Sequence, residues 1–157
     1  MKVRKEIAMI DTILKEKHCV IKDSVRDWKE AIHVALEPLI QDGCCTEEYE
    51  KAVFKNTEEY GAYYVLTDDM ALIHASNEAG VNDTQLAVTV LKKPVHFTED
   101  GPDVRILIAL CAKDSTSHME GMMAIANIFG DDGNVQPILD AKSGKEIYDV
   151  FLNASES

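Results

Sequence analysis

The sequence predicts an α/β domain, with a mixed parallel and antiparallel sheet of about five strands flanked by helices. Three observations carry that prediction. Apolar residues recur at helical spacing through the amino-terminal third, short β-branched runs crowd the stretch between Tyr63 and Ala112, and helical spacing returns after His118. Helices, then strands, then helices describe a sheet with helices packed on it.

Each element has its own warrant. Lys5 to Lys15 reads as a short helix, and His18 to Lys22 (HCVIK) as a short edge strand. Asp23 or Ser24 is placed to cap the next helix, along which Trp28, Ala31, Ile32, Ala35, Leu39 and Ile40 fall on one face. Gly43 supplies its stop, and Pro38 is expected to bend its last turn. Thr46, followed by Glu47 and Glu48, opens a second helix that carries Tyr49, Ala52 and Val53 inward. The runs Tyr63–Leu66, Met70–His74, Leu86–Leu91 and Val104–Ala112 are short, apolar and bounded by Asp, Gly, Asn or Pro, the signature of strands. VRILIALCA is almost continuously apolar, which marks a central strand buried on both faces. His118–Phe129, Val135–Ala141 and Gly144–Asn153, the last capped by Ser143, complete the helices. No repeat or Pro/Ser-rich linker interrupts the chain, so residues 1–157 read as one domain.

Composition excludes several classes of function. A net charge of −12 over 157 residues leaves no basic stripe for phosphate backbones or anionic membranes. An acidic surface keeps a protein soluble and attracts a basic partner. No apolar run is long enough to span a bilayer, and charge interrupts MKVRKEIAMIDTILKEK too often for a secretory signal, so a cytoplasmic protein is expected. Cys44 and Cys45 are adjacent, Cys19 and Cys111 lie in apolar runs, and no C-x-x-C pair occurs. Four reduced thiols are therefore expected, with Cys111 packing as a small hydrophobe.

Chemistry concentrates at two histidines. His74 ends the second apolar run of YYVLTDDMALIHASNEAG, and His118 follows another within KDSTSHMEGM. Both fall at the carboxyl ends of strands, where ligand crevices of open α/β sheets form. His18, His33 and His96 lack such surroundings and read as structural or solvated. Two imidazoles admit two chemistries. A metal would need a third ligand from Asp68, Asp69, Glu78 or Asp114, and no chelating spacing is present. Nucleophilic catalysis would use one neutral ring nitrogen, with a second group steadying the charge that develops on the transferred phosphoryl oxygens. Asp114 to His118 would open a helix whose unpaired N–H groups favour an anion, although Asp114 and Ser117 serve equally as an ordinary cap.

Three spaced blocks sharpen the reading: YYVLTDDMALIHA with a following Glu and Gly-Val, LAVTVLKKPVHF, and VRILIALCAKDSTSHMEGMMAIANIF. Together they resemble the enzyme IIA domains of the phosphoenolpyruvate-dependent sugar phosphotransferase system, in the fructose/mannitol-like superfamily, and among these the L-ascorbate-type proteins. The resemblance runs from about Val20 to Phe151 and implies a mannitol-type IIA fold. It implies that His74 takes a phosphoryl group from the phosphocarrier HPr and passes it to a cysteine of a IIB component, which serves a membrane IIC. It also implies that His118 hydrogen-bonds the phosphoryl group, with Asp114, Ser117 and Glu78 in support. No cofactor or metal is required, because a phosphoramidate donor is already activated. The chain has no IIB-type cysteine loop, so IIB must be a separate protein. The chain departs from the family pattern in two ways: Ile73 stands where a proline is usual, and Ser76 and Asn77 where an arginine is frequent. L-Ascorbate or a pentitol is the expected sugar, a homodimer through an exposed strand edge is allowed, and a regulatory protein switched by His74 phosphorylation is the alternative.

Overall fold

The computed structural model of the chain describes residues 10–65, 68–75 and 79–156. Among these residues four strands form one sheet: β1 (Leu14–Lys22), β2 (Asp69–Ile73), β3 (Gln85–Val95) and β4 (Val104–Cys111), in spatial order β1-β3-β4-β2. β1 is parallel to β3 and β2 is parallel to β4, while β3 and β4 run antiparallel. The sheet is mixed as expected, with four strands in place of about five.

Tyr63–Leu66 is the strand that does not form. Gly61, at φ 77°, turns the chain at the end of a helix, and Tyr63 and Val65 then donate their N–H groups to Gly61 and Ala62. Leu66 lies outside the described residues. β3 instead runs longer than expected, through Pro94. Its pairing with β4 becomes irregular between Val90 and Val95, so the proline's missing N–H falls where the ladder is already interrupted.

The helices are α1 (Ile10–Ile13), α2 (Trp28–Gln41), α3 (Glu47–Tyr60), α4 (Ser115–Phe129), α5 (Val135–Asp140) and α6 (Gly144–Glu156). α1 yields to β1 at Leu14, four-residue shorthand for the helix expected to Lys15; residues 5–9 lie outside the description. Asp27, not Asp23 or Ser24, caps α2, its carboxylate accepting the Glu30 N–H at 3.0 Å. The α2 stop is a Schellman motif: Gly43 (φ 76°) donates to Ile40 O at 3.1 Å and Cys44 to Leu39 O at 2.9 Å.

Helices cover both faces. α2 and α3 bury Ile32, Leu36, Leu39 and Val53 against Ala71, Ile73, Leu107 and Ala109 of the sheet. α4 and α6 bury Ile125, Ile128, Ile147 and Phe151 against Leu72, Val88, Ile106 and Ile108. The alternation of strand residues between the two cores is the period-two pleat, and each fully buried aliphatic side chain contributes about 1.5–3 kcal/mol. Because β2 and β4 are parallel neighbours, their carboxyl ends open at the same edge of the sheet. The chain leaves β2 directly into His74 and leaves β4 into the loop that starts α4.

Candidate functional site

His74 is the first residue past β2 and is nearly buried, at 9% exposure. Its Nδ1 lies 2.5 Å from the Leu72 carbonyl oxygen. A carbonyl can only accept, so Nδ1 carries the proton and Nε2 keeps its lone pair. Burial lowers the pKa of His74; the Leu72 bond partly opposes this, and the nearby His118 adds to it. At neutral pH the ring is therefore uncharged, in one tautomer, with a nucleophilic Nε2 that bonds none of the described residues. Tyr63 meets it edge-on at 5.4 Å between centroids, and a pocket of about 270 Å³ lined by Asn56, Tyr60, Tyr63 and His74 opens beside it.

His118 approaches the same ring from α4, with ring centroids 5.4 Å apart and planes inclined at 48°. It occupies the first turn of the helix, where its N–H is already bonded to Asp114 O at 3.0 Å. Asp114 is the cap, accepting the Ser117 N–H at 2.7 Å, and hydrogen bonds from Ser117 hold its carboxyl below the ordinary value. Ser115 and Thr116, the first two residues of α4, present N–H groups that have no partner within the helix.

Residues 12–154 match the family described as phosphoenolpyruvate-dependent sugar phosphotransferase system, EIIA 2. The chain belongs to this family. The ascorbate-specific PTS system EIIA component of Escherichia coli (strain K12) is 30% identical over 143 residues, covering 90% of this chain and 93% of the relative. Among solved structures, a PTS IIA (PtxA) from Streptococcus mutans is 34% identical with a TM-score of 0.81, over 90% of this chain and 92% of that one. The fold is also that of the mannitol enzyme IIA from Escherichia coli, solved with phosphorylated enzyme IIB: TM-score 0.76 at 18% identity, over 90% of this chain and 99% of that one.

Asp114 and Ser117 share the helix start with His118 in this EIIA chain. Ser117 faces a different pocket, lined with Thr12, Gln85 and Lys113. Glu78 lies outside the described residues. Asp68 and Asp69 stand at the start of β2 while His74 follows its end, about 15 Å away by strand rise; neither reaches the ring. The group that has metal-ligand geometry among the described residues is instead His18, Asp42 and Cys44. Asp42 is already bonded there to Lys17 at 2.7 Å and His18 at 2.8 Å, with Lys15 at 3.5 Å, and two ammonium groups make poor company for a cation. The histidines expected to lack polar company have it. His18 bonds Asp42, and His33 bonds Glu50 at 3.1 Å, across 24 and 17 residues of sequence that local reading does not bridge. The four cysteines are free and buried.

Sequence reasoning missed the tyrosines around His74. Tyr49 and Tyr64 are 1% exposed and Tyr63 is 39% exposed. A buried tyrosine needs a partner for its hydroxyl, which was the available signal. The identity of that partner is a tertiary fact.

Proposed function

We propose that this EIIA chain is a phosphocarrier in which His74 Nε2 accepts a phosphoryl group from the phosphohistidine of HPr and passes it to the cysteine of a separate IIB component. The observation that carries the reading is an imidazole with its Nδ1–H anchored on Leu72 O, its other nitrogen bonded to no described residue and a second imidazole at 5.4 Å. In the first step the Nε2–P bond forms as the donor's P–N bond breaks, one imidazole replacing another. In the second, a cysteine thiolate attacks phosphorus and His74 leaves as a neutral ring. Charge spread over the equatorial oxygens is met by His118 and by the unpaired N–H groups that open α4. Exchange between nitrogen and sulfur nucleophiles is helped by position and fixed dipoles, and the proposed cycle routes no step through a metal.

The chain itself never touches the sugar in this scheme. An L-ascorbate-like sugar is supported by the name of the Escherichia coli relative, and a pentitol is the alternative. A IIB partner is supported by the mannitol protein solved in complex with its own IIB. The proposed site of action is the cytoplasmic face of a membrane IIC; no described helix of this chain is long and apolar enough to cross a membrane.

Incubation with enzyme I, HPr and phosphoenolpyruvate should label the chain on one histidine, and a cognate IIB should remove the label rapidly. His74→Ala should take no label; full labelling of that variant would move the acceptor elsewhere. Ile73, Ser76 and Asn77, which depart from the family pattern, favour a second reading in which phosphorylation regulates a partner. A phosphohistidine that persists in the presence of every IIB would support it.

A further inference from the structure

We propose that Tyr49 and Tyr63 are positioning residues that hold the peptide unit between His74 and Ala75 from both ends, and thereby aim the His74 imidazole. The Ala75 N–H donates to the Tyr49 hydroxyl oxygen at 3.0 Å, and the Tyr63 hydroxyl donates to the His74 carbonyl oxygen at 2.7 Å. One peptide plane is thus fixed by two phenols on its two opposite polar groups. Both come from the α3 segment, Tyr49 from its first turn and Tyr63 from the turn that follows it.

Tyr49 does more than accept one bond. Its own proton goes to Leu110 O at 2.7 Å, so the hydroxyl relays between the end of β2 and the end of β4. The last regular pair of that ladder is Ile73↔Ala109. The hydroxyl stands where the next rung would form, and it keeps both backbone groups satisfied while the two strands separate. That separation is the crevice occupied by the two imidazoles. Tyr63 shares the wall of the His74 pocket with Asn56, and its ring packs edge-on against His74.

Displacement of this peptide unit would shift the His74 Cα at its end, and with it the side chain, relative to Leu72 O, which selects the tautomer, and to His118. Reacting groups misplaced by about 1 Å can lose about 10²-fold in rate. The hydroxyls bond backbone groups and not the His74 ring, so they act through the main chain.

The inference rests on the phosphocarrier reading, and the test separates the two. Phosphoramidate serves as a small donor, which removes protein docking from the measurement: the Nε2–P bond forms, the donor's P–N bond breaks and ammonia leaves. Tyr49→Phe and Tyr63→Phe should each slow single-turnover labelling of His74 about 10-fold, and the double variant about 10²-fold. In parallel, ¹⁵N imidazole spectra of the folded variants should show a mixture of His74 tautomers where the parent shows Nδ1–H alone. Tyr63 is partly exposed, so its variant should fold even if loss of the buried Tyr49 hydroxyl is costly. Labelling at the parent rate with an unmixed tautomer in folded Tyr63→Phe and Tyr49→Phe overturns the inference and leaves the phosphocarrier reading intact. A parent chain that takes no label on His74 from either phosphoramidate or phospho-HPr overturns the reading itself.

Discussion

Burial suits the acceptor role proposed for His74, which needs a neutral ring. Desolvation is the largest cause of the lowered His74 pKa, and His118 pushes in the same direction. The acid limb of the phosphorylation rate should therefore fall below the ordinary histidine value near 6.5, and an NMR titration of the His74 ring should give the same midpoint. The stability sign follows. Between the two pKa values the unfolded chain binds a proton that the native chain refuses, so this group's contribution is complete above about pH 6.5 and is lost as pH falls toward the native pKa. A native His74 pKa at or above 6.5 would contradict the burial argument. His118→Ala removes one source of the depression and, under the proposed function, the hydrogen-bond partner of the phosphoryl oxygens. It should raise the His74 pKa slightly while lowering transfer about 10²-fold; an unchanged rate would reduce His118 to a residue of the helix start.

Elements bring the pair together through constraints that a few residues impose. Gly80 is the sharpest case. At φ +81° it sits against the start of α3, where a Cβ would lie 2.7 Å from Thr46 Oγ1 and 2.8 Å from the Tyr49 nitrogen, and its carbonyl accepts the Thr46 N–H at 2.8 Å. Left-handed backbone and overpacking add, so Gly80→Ala should cost on the order of 2 kcal/mol in urea unfolding and displace the turn carrying Tyr49; a fully stable variant would show that α3 can shift freely. Much at this scale was legible from sequence because its cause is local: Gly43 as a stop, Thr46 and Ser143 at helix starts, the doubly buried β4. Thr46 holds the cap position, yet its hydroxyl bonds Gly80 O and no N–H of its own helix. What failed was tertiary. The β-propensity of Tyr63 and Tyr64 does not reveal that their rings pack beside His74. The meeting of His74 with His118, by contrast, follows from their places at strand carboxyl ends, which the parallel pairing of β2 with β4 brings to one edge.

At the scale of the whole molecule, charge and exposed apolar surface converge beside the histidines. Tyr60, Met119 and Met123 are the most exposed large apolar side chains among the described residues, at 71%, 59% and 60%. Exposed Glu58 and Glu59 precede Tyr60, and exposed Glu120 follows Met119, within a chain of net charge −12. Exposed apolar side chains with acidic sequence neighbours suit a basic partner, and such charge acts on encounter more than on the bound state. The second-order rate constant for phosphoryl transfer from phospho-HPr should therefore fall severalfold or more as NaCl rises from about 0.05 to about 0.5 M, where the Debye length shrinks from above 10 Å to a few ångströms. The maximal rate at saturating donor should change little. Glu58→Lys combined with Glu59→Lys should reproduce the loss at low salt and flatten the salt dependence, while labelling by phosphoramidate stays at the parent rate because neither carboxylate touches His74. A salt-independent encounter rate would mean that the acidic surface serves solubility alone, and that the donor is recognised through the apolar centre.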